Sequence, residues 1–282
     1  MCGIFAYMGH KPLPILTALK VLHILESEQE PDEKSPVGGH GAGIAYLNNR
    51  DEFIIAKIGK NKHSPLKDLT SRLKATTSSS SFILGHVRRA SPQFEDTIEC
   101  KEFAQPYKPQ CSPDFNLVSA HNGFLQNYNQ LRNKLTQPHH FESEKIKLND
   151  SEVLTHLYEE QLSNSKDTTR ATHPLFEQIE GNNTVVILTI NKNEAHIDAI
   201  QKGKTRGLVI WTNPKGEVLI CSREKPVQKT LHKFLVENNY QKIIHITRND
   251  SANLETHYTL NPPTTTGKPS HNTTLASAHK YQ

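Results

Sequence analysis

The sequence predicts an α+β fold in which helices pack outside a sandwich of antiparallel sheets. Two observations carry this prediction. Short apolar runs are joined by hairpin-type turns, such as Asn-Asn-Arg-Asp at 48–51. Strand-like and helix-like segments also occur in blocks, without the strict alternation that marks a βαβ array. At 282 residues the chain is long enough to bury a substantial core.

The first half of the chain begins with an apolar run at 3–8, which predicts a strand. A helix follows Pro12 and Pro14, because leucines recur at helical spacing at 13, 16, 19 and 22. The other elements predicted in this half are a Gly-rich turn at 38–43, strands at 43–48, 53–58 and 82–87, a helix at 65–74 and a Ser/Thr-rich loop at 76–81.

The second half repeats this mixture of elements. Residues 91–116 read as irregular, and a strand at 117–120 precedes a His-Asn-Gly turn. A helix at 150–162 carries an N-terminal cap, Asp150 or Ser151. The remaining predictions are helices at 124–135 and 228–238, a polar stretch at 163–172, and strands at 184–190, 194–200, 207–212, 217–222 and 242–247.

Composition excludes several classes of function. The 33 basic and 29 acidic residues are interspersed and give a net charge of only +4, so neither a nucleic-acid surface nor a nucleic-acid partner is predicted. No apolar run reaches the length of a membrane span, and the N-terminus lacks a secretory signal, so no membrane partner is predicted either.

The four cysteines show no metal-ligand spacing and are expected to be free thiols in a reducing cytoplasm. Most of the 16 scattered histidines are expected to lie in solvent.

Cys2 is the candidate nucleophile. If Met1 is removed, Cys2 carries both a thiol and a free α-amino group that can act as its base. Reference pKa values of about 8.5 for the thiol and about 7.7–8.0 for the amine suit this pair near neutral pH. The alternative is that Cys2 is merely a small buried apolar residue.

Three other segments carry polar groups next to strand or helix ends. They read Gly-His-Val-Arg-Arg-Ala-Ser at 85–91, Ala-His-Asn-Gly at 120–123 and Asn-Asp-Ser-Glu at 149–152. Each alone has a structural explanation, as the solvated end of a strand, a turn and a helix cap respectively. Functional groups are nevertheless often found at such ends.

Together with the opening Cys-Gly-Ile, these segments resemble the class II glutamine amidotransferase domain, an N-terminal-nucleophile hydrolase, in the same order and at similar separations. The resemblance runs from Cys2 to about Leu162 and continues more faintly to 222. It implies a four-layer αββα sandwich of two antiparallel sheets, an enzyme, and no cofactor or metal. We expect the domain to span 2–260, with 261–282 as a flexible polar tail.

The resemblance also implies roles for individual residues. Asn122 and Gly123 match the oxyanion hole, the pair of donors that stabilises a tetrahedral intermediate. Arg88 matches the residue that binds the α-carboxylate of glutamine, and Asp150 the one that binds its α-ammonium. Ser91 completes the substrate-binding set. Glutamine would then be hydrolysed to glutamate and ammonia through a γ-glutamyl thioester on Cys2.

Departures from the sugar-amidating branch of the family favour a stand-alone member. Arg89 stands where that branch has tryptophan, and Pro92 follows Ser91. The chain lacks the motifs of a fused synthase, so ammonia is expected to pass to a separate synthetase or transferase subunit. Two alternative hypotheses stay open. In the first, the enzyme acts on a γ-glutamyl compound other than glutamine. In the second, the fold serves as a non-enzymatic regulatory subunit.

Overall fold

The computed structural model describes residues 2–74, 78–112, 115–191 and 194–260. The chain forms two compact units. The first unit comprises Met1–Pro106 and Arg206–Thr247, and the second comprises Tyr107–Thr205 and Arg248–Gln282. Each unit is built on its own antiparallel sheet.

The first unit contains a seven-stranded sheet in the order β10-β8-β9-β1-β4-β2-β3. Its strands are β1 Gly3–Pro14, β2 Gly41–Leu47, β3 Phe53–Gly59, β4 Ser79–Arg88, β8 Leu208–Thr212, β9 Val218–Cys221 and β10 Gln241–Ile246. Strand β1 lies between β4 and β9, and Gly3 pairs with Val87. This register places Cys2 next to the end of β4.

Three helices cover apolar surface of this sheet: α1 Ile15–Ser27, α2 Pro65–Leu73 and α6 Glu224–Glu237. The predicted leucine spacing is confirmed in α1, where Leu19, Leu22 and Leu25 are buried in the core of the unit. Gly85 of β4 lets α1 approach closely, because a Cβ there would lie 2.5 Å from a methyl carbon of Leu22.

The second unit contains a four-stranded sheet in the order β11-β7-β6-β5. Its strands are β5 Asn116–Leu125, β6 Gly181–Asn191, β7 Glu194–Lys202 and β11 Glu255–Leu260. Its helices are α3 Tyr128–Lys134, α4 Asp150–Ser165 and α5 Thr168–Gln178. Helix α4 buries Val153, Leu154 and Tyr158 in the core of this unit.

Three predictions around the functional motifs are wrong in detail. The His-Asn-Gly segment is not a turn, because β5 continues to Leu125 and pairs with β6 throughout. The helix predicted at 124–135 therefore begins only at Tyr128. The cap of α4 is Asn149, whose side chain accepts a hydrogen bond from the backbone N–H of Ser151 at 2.8 Å.

Other differences involve polar segments. The Ser/Thr stretch at 79–81 belongs to β4, although its composition is typical of a loop. The polar stretch predicted at 163–172 includes the end of α4 and the start of α5. The sequence analysis did not predict strand β11. These elements depend on neighbours from elsewhere in the chain rather than on their own apolar periodicity. The predicted tail at 261–282 lies outside the described residues.

Candidate active site

The thiol of Cys2 is held by the backbone of one residue. Arg89 donates its N–H to Sγ at 3.2 Å, and its carbonyl oxygen lies 3.3 Å from Sγ, where it can accept the thiol proton. The side chain is only 8% exposed. Strand β1 is further tied down beside Cys2, because Ile4 donates its N–H to Ser222 Oγ at 2.9 Å. The thiol therefore has a defined position directly before the first residue of β1.

Arg89 and His40 form a polar pair beside this thiol. The Arg89 guanidinium donates to the carbonyl oxygen of Pro36 at 3.2 Å and lies 2.9 Å from Nε2 of His40. Burial and the positive charges of Arg89 and Lys60 lower the pKa of His40 to about 4, so its imidazole is neutral at physiological pH. The guanidinium of Arg89 is therefore a cation in the surroundings of Cys2.

Arg88, at the end of β4, is 4% exposed. Its guanidinium donates to the backbone oxygen of Thr97 at 2.9 Å, to Thr97 Oγ1 at 2.7 Å and to the oxygen of Phe94 at 3.4 Å. It also lies over the ring of Phe103, 5.5 Å from the centroid. Arg88 therefore holds the short 3₁₀ segment Pro92–Thr97, which begins directly after Ser91.

Asn122 and Gly123 lie inside β5, opposite Thr184 and Asn183 of β6. Gly123 has φ of +139°, and a Cβ at this position would collide with the carbonyl oxygen of Asn182. Only glycine fits there, so the backbone N–H of residue 123 takes an orientation that other residues cannot provide. Asn122 is 1% exposed.

His121 connects this part of β5 to the start of α4. Its Nδ1 lies 2.9 Å from Ser151 Oγ, and its Nε2 lies 2.9 Å from Asn183 Oδ1. Burial lowers the pKa of His121, an effect that the nearby charge of Asp150 opposes. A neutral ring with the proton on Nε2 satisfies both contacts, because the amide oxygen of Asn183 can only accept.

Asp150 is the first residue of α4 and is 4% exposed. Its Oδ2 accepts the backbone N–H of Leu125 at 3.0 Å and lies 3.9 Å from His121 Nδ1. The second unit therefore brings Asn122, Gly123 and Asp150 together through His121, while Cys2, Arg88 and Ser91 belong to the first unit.

Comparison with known proteins shows what this chain is similar to. A family model described as a glutamine amidotransferase domain matches residues 95–229. Two curated relatives are named glutamine–fructose-6-phosphate aminotransferase (isomerizing). The protein from Chlamydia pneumoniae is 26% identical over 70% of this chain and 28% of its own length. The protein from Helicobacter pylori (strain J99) is 27% identical over 86% of this chain and 38% of its own length.

A solved structure of the glutamine phosphoribosylpyrophosphate amidotransferase from B. subtilis superposes with a TM-score of 0.61. It is 17% identical and covers 92% of this chain and 47% of that chain, a likeness that establishes the fold alone. Over residues 95–229 the chain thus matches a glutamine amidotransferase domain, in agreement with the resemblance of its sequence motifs. The predicted α+β class with two antiparallel sheets is confirmed, and so is the assignment to an enzyme class.

The amidotransferase domain spans well under two thirds of the length of the curated relatives it matches. Among the described residues, no helix is both long and apolar enough to cross a membrane. All four cysteines are free thiols, as predicted.

Sequence reasoning missed several residues that shape the amidotransferase site. His40 and Arg89 lie beside Cys2, and His121 and Ser151 connect β5 to α4. The signal in the sequence that could have found these residues was their position within or next to the recognised motifs. Their roles depend on contacts between segments that are far apart in sequence.

Proposed function

We propose that this domain hydrolyses the side-chain amide of glutamine to glutamate and ammonia, with Cys2 as the N-terminal nucleophile after removal of Met1. The observation that carries the proposal is the position of the Cys2 thiol, held by the backbone of Arg89 and next to a guanidinium. A nucleophile held in one position is suited to attack the carbon of a bound amide.

In the proposed reaction, the α-amine of Cys2 takes the thiol proton, and the thiolate attacks the amide carbon of glutamine. The carbonyl oxygen becomes an oxyanion, which accepts hydrogen bonds from the side-chain amide of Asn122 and the backbone N–H of Gly123. Collapse of the intermediate breaks the C–N bond, and the protonated amine donates its proton to the departing ammonia. A γ-glutamyl thioester remains on Cys2.

Water then attacks the thioester and gives up a proton to the α-amine. Collapse breaks the C–S bond, and the proton returns to the thiolate as glutamate leaves. Asp150 is proposed to bind the α-ammonium of the substrate. Its buried carboxylate at the start of α4 supports this role.

Arg88 is proposed to bind the α-carboxylate, with Ser91 beside it. Because the Arg88 guanidinium already donates to Thr97 and Phe94, an arriving carboxylate must share or displace these contacts. Substrate binding at Arg88 would therefore be coupled to the conformation of residues 92–97.

We further propose that the ammonia passes to a separate synthetase or transferase subunit and that the protein acts in the cytoplasm. The matched relatives are named for amino transfer from glutamine to a sugar phosphate. These names support transfer of the glutamine nitrogen to an acceptor.

The decisive experiment is labelling with an electrophilic glutamine analogue, such as a diazoketone, followed by peptide mass mapping. We expect one adduct on Cys2, loss of Met1 from the intact mass, protection by glutamine, and glutamate release in the absence of the analogue. Cys2→Ala should lose both labelling and glutamate release, whereas Cys100→Ser, the matched control at a partly exposed thiol, should retain them.

An adduct on any other cysteine, or glutamate release by Cys2→Ala, would refute the nucleophile assignment. Faster turnover of γ-glutamyl peptides than of glutamine would refute glutamine as the substrate and favour an amidohydrolase of γ-glutamyl compounds.

A further inference from the structure

Four potential metal ligands converge in the second unit, on residues that the amidotransferase reaction does not use. They are Cys111, His139, His156 and Glu159, and their ligand atoms all lie within 4.8 Å of one another. His156 and Glu159 are one turn apart on α4, whereas Cys111 and His139 come from two separate connecting segments. The side chains of His139, His156 and Glu159 are at most 3% exposed.

The separations between these atoms fit a tetrahedral zinc ion. Zn–N distances of about 2.0–2.1 Å and a Zn–S distance of about 2.3 Å place two nitrogens about 3.3 Å apart, and a nitrogen and a sulfur about 3.6 Å apart. In the structure, the two histidine Nδ1 atoms are 3.1 Å apart, and Cys111 Sγ is 3.7 Å from His156 Nδ1. Glu159 Oε2 lies 3.2 Å from His156 Nδ1 and 3.5 Å from His139 Nδ1.

Hydrogen bonding alone accounts poorly for this convergence. His139 Nε2 lies 3.1 Å from Glu160 Oε2 and donates to it, so Nδ1 is the His139 nitrogen that faces the cluster. His156 Nδ1 lies within 3.7 Å of three other potential ligand atoms, on His139, Glu159 and Cys111, and a single N–H can point at only one of them. A cation at the centre would satisfy all four ligand atoms at once.

Hydrogen bonds from neighbouring groups orient the potential ligand atoms toward the centre of the cluster. Glu159 Oε1 accepts the backbone N–H groups of Cys111 at 2.9 Å and Ser112 at 2.8 Å, which leaves Oε2 directed at the cluster. Glu160 orients His139, the carboxylate–histidine arrangement that commonly supports zinc ligands. The N–H of His140 donates to Cys111 Sγ at 3.4 Å. One thiolate and one carboxylate would also balance the charge of a divalent ion.

We propose that Cys111, His139, His156 and Glu159 bind a zinc ion. One soft thiolate, two imidazoles and one carboxylate at tetrahedral spacing match zinc, whereas copper(II) favours a tetragonal arrangement. Four protein ligands close the coordination shell, so the ion has a structural role. It joins the segments that contain Cys111 and His139 to α4, the helix that begins at Asp150.

The first test is the metal content of the full chain, purified without a metal-affinity step and measured by elemental mass spectrometry. We expect about one zinc per chain in the wild type and in Cys100→Ser, the control for thiol number, and loss of zinc in Cys111→Ser. Absence of metal after growth with added zinc, another transition metal in place of zinc, or full retention of zinc by Cys111→Ser would overturn the proposal.

The second test does not depend on any variant folding. Zinc is removed from the wild type with a chelator and replaced by Co²⁺, and the absorption spectrum is recorded. We expect intense ligand-field bands of a tetrahedral site and a thiolate-to-cobalt charge-transfer band. A weak octahedral spectrum without the thiolate band would overturn the assignment.

Glu160→Gln tests the arrangement around the ligands. Because Glu160 orients His139 without being a ligand itself, we expect zinc affinity, measured by chelator competition, to fall about 10- to 100-fold with tetrahedral cobalt bands retained. Unchanged affinity would contradict the role of Glu160.

Discussion

Cys2 and Arg89 show how much of the candidate site depends on single residues. The backbone of Arg89 contacts the thiol on two sides, while its side chain reaches Pro36 and His40. Gly123 is equally specific, since its positive φ and the nearby Asn182 carbonyl exclude any side chain. The backbone contacts of residue 89 do not depend on its side chain, whereas position 123 accepts only glycine.

At the residue scale, we predict that Asn122→Ala lowers the kcat of glutamine hydrolysis about 10²- to 10³-fold, because one oxyanion donor is lost. Glutamate release and circular dichroism would be measured together. Asn133→Ala, at an exposed position of α3, should leave kcat unchanged. A kcat for Asn122→Ala within a few-fold of wild type would show that Asn122 is not an oxyanion donor.

Among the elements, helix α4 contributes residues to both proposed sites. Its first residue, Asp150, contacts the N–H of Leu125, and Ser151 contacts His121, so the start of the helix sets the position of β5. Its later turns carry His156 and Glu159, the proposed zinc ligands. The helix therefore links a candidate substrate contact to a candidate metal site within one unit.

The N-cap of α4 gives a prediction at this scale. Asn149→Ala removes the hydrogen bond from the side chain to the N–H of Ser151 and should reduce the free energy of unfolding by about 1 kcal/mol, measured by urea denaturation. Asn149→Asp, which keeps an acceptor at the cap, should restore most of it. Equal stability of wild type and Asn149→Ala would contradict the assigned cap.

On the scale of the molecule, a buried ionic cluster joins distant parts of the first unit. Glu33 contacts both Arg206, the first residue after the chain re-enters this unit, and Arg223. The Glu33 and Arg206 side chains are at most 3% exposed. Burial by itself raises the pKa of Glu33, but the hydrogen bond from Arg223 and the charges of both arginines outweigh it, so the pKa is lowered overall.

A lowered pKa means that Glu33 stabilises the fold above the unfolded-state pKa, near 4.5, and that this stability is lost as the pH falls through the lower, folded-state pKa. We predict that Glu33→Gln costs about 3–5 kcal/mol at pH 7, because buried Arg206 and Arg223 both lose the carboxylate of Glu33 and Arg223 keeps only its longer contact with Glu30. Urea denaturation should show this cost shrinking below pH 4.5.

The control for this prediction is Glu237→Gln, which breaks an exposed ion pair with Lys233. It should change stability by less than about 1 kcal/mol. Similar losses for both variants, or a Glu33→Gln cost that is independent of pH, would contradict the role of the cluster.

Much of this fold could be predicted from local patterns. The leucine spacing of α1, the hairpin of β2 and β3, and the strands β6 to β9 follow from apolar periodicity and turn residues, which act over a few positions. The resemblance to the family could be recognised because the candidate site residues lie in short sequence motifs. These motifs surround Cys2, Arg88, Asn122 and Asp150.

The tertiary structure alone decided which distant groups meet. His-Asn-Gly reads locally as a turn, but pairing with β6 keeps it in a strand. Most histidines were predicted to lie in solvent, but several have buried side chains. His121 packs beside Ser151, and His139 packs beside His156. Backbone periodicity is a local property of the sequence, whereas the meeting of Cys111 with His156, or of Glu33 with Arg223, depends on how whole elements pack.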